Sequence, residues 1–422
     1  MEASFRFYNV GQGCFYGGAI EHGGQKFVLV YDCGSVTKNK PLKDPIIDFR
    51  TKFNHIDLLV ISHFDSDHVN GIEDLIKGIR VDRIVLPYMP LLQRLALATS
   101  QDDYDEDYNN FISNPTTYFF SNDQFNVGTV SYLDQDSSNG NEESQPTNDN
   151  PKFDREFGED FDLDEFSLEE LRSDDIVKYK IIENDSNLDD QNVTYHSFNS
   201  SMKLRNELWE FIFYHKQTKN ETDISDFQTA IDAYIISQGI TIRDLFTEDR
   251  RAKMKELYAV HIASDINYSS LCMYHGPIFK AVIHVSICIL PITRYRRLLF
   301  PCRWRRHHSW HHNKTGTLLT GDQFLATNKD FIPFYSYFRT RLDRTEIYQV
   351  PHHGSNNNWK MMPNNLNTHD IGCYVINHGY GRKKHPNQIV LQNLLTYVRR
   401  DVVLNNEHTI LKYRIRPIRT YK

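Results

Sequence analysis

Cysteine is scarce and dispersed, with six residues (Cys14, Cys33, Cys272, Cys288, Cys302 and Cys373) in 422. None forms a Cys-x-x-Cys pair, which excludes zinc-ribbon and thioredoxin-type motifs, and the spacing is not that of a disulfide scaffold. Long apolar runs are lacking too. The longest, Ala281 to Ile292, contains His284 and falls well short of the roughly 20 residues a spanning helix needs. The N-terminal Met-Glu-Ala-Ser-Phe-Arg has neither the basic start nor the apolar run of a signal peptide. No internal repeat is present. These absences predict a cytoplasmic protein of a reducing compartment, with no membrane association.

Acidic residues are missing altogether from Ile266 to Gly321, a stretch that holds eight Lys or Arg. They are concentrated instead between Asp134 and Asp190, where 20 Asp or Glu face 5 Lys or Arg. That local balance of −15, set against −7 for the whole chain, leaves +8 elsewhere. The acidic block thus conceals a mildly basic scaffold, which suits a phosphate-bearing substrate. No protein partner is legible.

With 40% hydrophobic residues the chain can bury a sizeable core. Residues 1–98 read as the first half of an α/β domain. Strands are expected at Phe5–Val10, Lys26–Tyr31, Ile56–Ile61 and Arg83–Pro87, and a helix at Ile72–Gly78. Residues 99–199 read as an acidic, partly disordered insertion, because Asp102–Asp107 and Ser137–Ser144 are polar without periodicity. Residues 200–258 read as a helical insertion: Leu204, Leu208, Ile212 and Phe213 fit one helical face, and Phe227, Ile231 and Ile235 another. Residues 259–422 form the second half. Its expected strands are Ser269–Tyr274, Thr317–Thr320, Glu346–Val350, Cys373–Ile376 and Thr409–Tyr413. A helix is expected over Pro386–Arg399, with proline in its first turn.

The densest chemistry is Ser62-His63-Phe64-Asp65-Ser66-Asp67-His68, directly after the apolar run Leu58–Ile61. Four metal-ligand side chains within six residues suit two adjacent cations with mixed imidazole and carboxylate ligation. The plain alternative, a helix N-cap, needs one such residue rather than four. Three further strand ends carry reactive groups: Thr320-Gly-Asp322, Pro351-His-His-Gly354 and the loop His378-Gly-Tyr-Gly-Arg-Lys-Lys-His385-Pro386. Gly-Asp alone is an ordinary turn.

Taken with Val10-Gly-Gln-Gly13, Asp32-Cys-Gly34 and Asn267-Tyr-Ser-Ser270, these pieces resemble the metallo-β-lactamase superfamily, nearest its ComEC-like branch. They stand in that family's order over nearly the whole chain. The resemblance implies a four-layer αββα sandwich with an acidic insertion, binding two divalent metal ions, Zn(2+) or Mn(2+). It implies His63 and Asp65 on one metal, Asp67, His68 and His353 on the other, and Asp322 bridging. Asp32 would orient imidazoles from behind. Asp67, His352 and His385 are the candidate catalytic residues, His352 as a support or substrate contact and His385, with Arg382, Lys383 and Lys384, to grip phosphate.

The chain also departs from the family. Asp65 stands where most members have His, which hardens the site toward manganese. Cys14 stands where ComEC-like sequences carry Asp, and an extra histidine between the main motif and Asp322 is not identifiable. The expected activity is hydrolysis of a phosphodiester, in nucleic acid or a nucleotide, by metal-activated water. The alternatives are an ester, thioester or lactam hydrolase of the same fold, and a non-catalytic binding module. The stretch Arg294–His312, rich in Arg, Trp and His, reads as an irregular loop in the hairpin before the Leu318 strand rather than as a basic groove for single-stranded nucleic acid.

Overall fold

A computed structural model describes residues 1–38, 41–101, 103–134, 192–196, 200–204, 208–216, 224–262, 270–278, 282–291, 314–359, 369–397 and 401–418. The chain opens with β1 (Glu2–Phe7), β2 (Phe15–His22), β3 (Gln25–Cys33), α1 (Lys43–Arg50) and β4 (His55–Val60). Next come α2 (Ser66–Val69), α3 (Ile72–Ile76), β5 (Arg80–Pro87), α4 (Leu91–Ser100), α5 (Glu106–Ser113) and α6 (Pro115–Ser121). They are followed by β6 (Asn126–Leu133), β7 (Val193–His196), β8 (Ser201–Lys203), β9 (Trp209–Tyr214), α7 (Ile224–Gln238) and α8 (Glu248–His261). The second half holds β10 (Cys272–Pro277), β11 (Val282–Pro291), β12 (Gly316–Leu319), α9 (Asn328–Leu342) and β13 (Thr345–Gln349). It closes with β14 (Cys373–Asn377), α10 (Gln388–Tyr397), β15 (Asp401–Asn405) and β16 (Thr409–Ile418).

These strands make two mixed sheets, ordered β11-β16-β1-β2-β3-β4-β5-β6-β7 and β15-β14-β13-β12-β10-β9-β8. Their inner faces meet in an apolar layer, with Phe5, Tyr16, Leu29, Leu58 and Val60 against Trp209, Phe211, Met273, Leu319, Ile347 and Val375. Each large side chain so buried contributes about 1.5–3 kcal/mol. The outer face of the first sheet, with Val30, Leu59, Ile84 and Val130, is covered by Leu75, Phe111, Phe119, Phe227 and Ile231 from helices. That of the second, with Tyr214, Leu318, Tyr348 and Ile376, is covered by Phe334, Phe338 and Leu394. The order of layers is helices, sheet, sheet, helices.

Two expectations need correction. Residues 103–133 are not an insertion: α5, α6 and β6 complete the first sheet and its cover, and β6 pairs in parallel with β5. The acidic residues there serve the helix start. Asp105 caps α5 by accepting from the Tyr108 N–H, and Glu106 and Asp107 lie in its first turn, where a helix end favours negative charge. Residues 201–204 and 208–214 are not helical. β9 is buried along its whole length and pairs antiparallel with β10, so Leu208, Ile212 and Phe213 belong to a strand and its approach.

Helix α7 does bury Phe227 and Ile231, and the other expected strands form. The final helix starts at Gln388, two residues after Pro386, which follows a cis peptide bond. The acidic block from 135 to 191 and the basic stretch from 292 to 313 lie outside the described residues. Cys14, Cys33, Cys272 and Cys373 are buried free thiols, and Cys288 is disulfide-bonded. Among the described residues no helix is long and apolar enough to cross a membrane.

Candidate metal centre

Ligand sites in α/β sheets form beyond the carboxyl ends of parallel strands, and the candidate residues gather there. β3 ends at Asp32-Cys33, β4 leads to His63–His68, β12 to Asp322, and β13 to the 3₁₀ turn His352–Gly354. β3 pairs in parallel with β4, and β12 with β13. Asp65 occupies the N-cap of α2, yet its side chain makes no capping hydrogen bond. A cap therefore does not account for it. The two glycine turns explain how the loop packs so close: a Cβ on Gly34 would stand 2.5 Å from the His68 nitrogen, and one on Gly13 2.6 Å from the Asp67 carbonyl oxygen.

Asp322 lies at the middle. Its Oδ1 is 3.3 Å from His68 Nε2, and its Oδ2 is 3.7 Å from His63 Nε2 and 3.5 Å from His352 Nε2. Asp65 Oδ2 stands 3.4 Å from His63 Nε2, and Asp67 Oδ2 stands 3.0 Å from His353 Nε2. Three donor triplets each fall within 4.8 Å: His63, Asp65 and Asp322; His68, Asp322 and His353; His63, Asp67 and His68. His63 Nε2 and His68 Nε2 are buried and have no hydrogen-bond partner. Buried polar atoms are nearly always satisfied, so these two imidazole nitrogens, which face carboxylates, are available as ligands. These buried His/Asp clusters could hold metal ions.

The far nitrogens are fixed. Asp32, wholly buried, accepts from the Ser62 N–H at 2.7 Å, the Ser62 hydroxyl at 2.7 Å and His68 Nδ1–H at 2.8 Å. Ser62 Oγ accepts from His63 Nδ1–H at 2.8 Å, and the Asn377 carbonyl accepts from His353 Nδ1–H at 2.9 Å. With each proton held at Nδ1, the Nε2 lone pairs turn inward. His352 and His353 both adopt left-handed backbone, φ 46° and 53°, a strained state for non-glycine residues that marks functional turns.

Burial alone would raise the carboxyls and lower the imidazoles, but their mutual attraction reverses both directions. Asp67 is held down at about 2 by His68 and His353 against burial, and Asp322 lies well below the usual range because His352, His68, His353 and His63 together outweigh its burial. His68 is pushed up: its burial is outweighed by Asp322, Asp32 and Asp67. The pocket thus concentrates negative charge that only protons or metal cations can balance.

The six candidate ligands converge with His352, whose side chain is a quarter exposed at the rim. His385 stacks on His352, ring centroids 5.5 Å apart. Burial first, and then the nearness of His353 and His352, lowers its pKa to about 4. Arg382 instead donates to the Val36 carbonyl at 3.1 Å, and Lys383 and Lys384 are exposed. Gln349 and Asn377 were missed from the sequence. Their signal is a polar residue closing an otherwise apolar strand, in Ile347-Tyr-Gln349 and Val375-Ile-Asn377. No family model matches the chain, and a search of the curated proteins finds no match.

Proposed function

We propose that this chain is a metal-dependent phosphodiester hydrolase of the metallo-β-lactamase superfamily, in its ComEC-like branch, acting on nucleic acid or a nucleotide. The observation that carries the reading is the pair of orphaned nitrogens, His63 Nε2 and His68 Nε2, facing opposite oxygens of one buried carboxylate, Asp322. His63, Asp65 and Asp322 would hold one divalent cation, and Asp67, His68, His353 and Asp322 a second. Two such cations supply a water of lowered pKa and neutralise charge that develops on a phosphoryl group. An ensemble of imidazoles and carboxylates accommodates zinc, and the extra carboxylate Asp65 extends the range toward manganese.

The chain's own residues do the rest. Asp32, Ser62 and the Asn377 carbonyl fix the imidazoles before substrate arrives, so little reorganisation is needed during reaction. His352, at the rim, is placed to hydrogen-bond a substrate oxygen. His385 is neutral at neutral pH, so it serves as a hydrogen-bonding partner rather than a fixed charge. The test is elemental analysis together with turnover of bis(p-nitrophenyl) phosphate, single-stranded DNA, RNA and a carboxylic ester. About two metals per chain and phosphodiester turnover are expected. A protein that binds no metal after loading, or cleaves only the ester, overturns the reading.

A further inference from the structure

Gln349 and Asn377, both nearly inaccessible, reach the same buried sulfur from the ends of neighbouring strands. Gln349 Oε1 accepts the N–H groups of Thr320 at 3.0 Å and Gly321 at 3.3 Å, the two residues before Asp322. Its Nε2–H donates to Cys14 Sγ at 3.4 Å. Asn377 gives its backbone carbonyl to His353 and donates its Nδ2–H to Cys14 Sγ at 3.7 Å. The Cys14 sulfur lies within 4.8 Å of Asp32, the carboxylate that holds His68 and Ser62, while its N–H donates to the Asp67 carbonyl at 3.1 Å. One sulfur thus accepts from two amide donors beside a buried carboxylate.

We propose that Gln349, Asn377 and Cys14 form a positioning relay that sets the distance between the metal-ligand loop of the first sheet and the Asp322 and His353 turns of the second. The proposal rests on the reading of this site as a metal centre. Other directed bonds also join the two sheets: the Tyr31 hydroxyl donates to the Leu271 carbonyl at 2.8 Å, and Ser270 Oγ, which accepts from the Asp322 N–H at 2.8 Å, lies 3.1 Å from His63 Nδ1. The relay adds the Cys14 end of that set, and directed bonds in a low-dielectric interior fix a spacing that apolar packing alone does not. The relay touches no substrate, and it acts through the Asp67 backbone, Asp322 and His353.

Two measurements test it, one of them independent of metal. In the metal-free protein, the S–H stretching band that disappears in Cys14→Ser should move on Gln349→Leu, because an amide donor leaves the sulfur. A band that stays put overturns the relay whether or not metal binds. Cobalt(II) titration followed by visible absorption then reads the consequence. Cys14→Ala and Gln349→Leu should each weaken cobalt binding about 10–100-fold and alter the spectrum, while Cys14→Ser restores most of the affinity. The double variant should lose little more than either single one, since both break one chain of bonds. Wild-type affinity in folded Cys14→Ala, or additive losses, overturns the relay, whereas a wild-type protein that binds no cobalt overturns the metal reading instead. If Cys14→Ala does not fold, the wild-type S–H band decides: it should shift on cobalt loading as Asp322 and His353 close on the cation and carry the Gln349 and Asn377 amides with them, and an unmoved band rejects the relay.

Discussion

The two sheets hold their imidazoles by different chemistry. In the first, His68 leans on the buried carboxylate of Asp32, and His63 reaches the same group through the Ser62 hydroxyl. In the second, His353 leans on a neutral backbone carbonyl, and its direction comes from two successive left-handed residues. One arrangement relies on charge and the other on backbone conformation. A carboxylate behind an imidazole makes its far nitrogen a stronger donor than a carbonyl does, so the first sheet should supply tighter ligation and the second more geometric selectivity.

The hardest way to break this comparison is to remove a donor outright. Asp67→Ala should reduce phosphodiester turnover to background while circular dichroism stays native, because the buried run Leu58–Ile61 does not depend on it. His353→Ala should match it. His352→Ala, which removes only a rim contact, should cost about a hundredfold. A folded Asp67→Ala enzyme with near-normal rate refutes the mechanism, and a reversed order for the two histidines refutes the ligand assignment.

Next in size come the supports. Asp32→Asn should weaken metal binding about 10–100-fold, read by competition with a chromophoric chelator. Asn377→Ala keeps the carbonyl that serves His353 and removes only the longer of the two amide contacts to Cys14 Sγ, so it should lose less than about tenfold. Equal losses would erase the distinction between the sheets.

The mildest test sits at the opposite end of β4. Asp57, largely buried, accepts from the Val28 N–H at 2.6 Å, and burial raises its pKa from 3.8 to about 6. A carboxyl raised on folding favours the native state only while protonated, so stability should fall as pH rises from 4 through 6. Asp57→Asn should remove that slope, a gain of up to about 3 kcal/mol at pH 7, without touching metal affinity. Denaturant melts at pH 4 and pH 7 would show it, and parallel curves for the two proteins would refute it.

Much of the candidate site was legible because each group follows an apolar run, and a polar cluster at a strand end needs no knowledge of partners. What failed was periodicity. β9 is buried on both faces, so Trp209–Tyr214 shows no alternation and imitates a helical stripe. Composition misled at Asp105–Asp107, where acidity belongs to a helix start rather than to a solvated linker. Gln349 and Asn377 stayed hidden because their importance lies in which side chains they meet across the two sheets, and spacing along one strand carries no trace of that.

The convergence of strand ends from both halves of the chain also dictates when the centre can exist. His63 and His68 are translated hundreds of residues before Asp322 and His353, and no fragment that lacks β12 and β13 contains a complete set of donors. Contacts this distant in sequence close late, because loop entropy must be overcome before they form. On the proposed metal reading, capture would belong to the last stage of maturation, and cation uptake during refolding would time the docking of the second sheet onto the first.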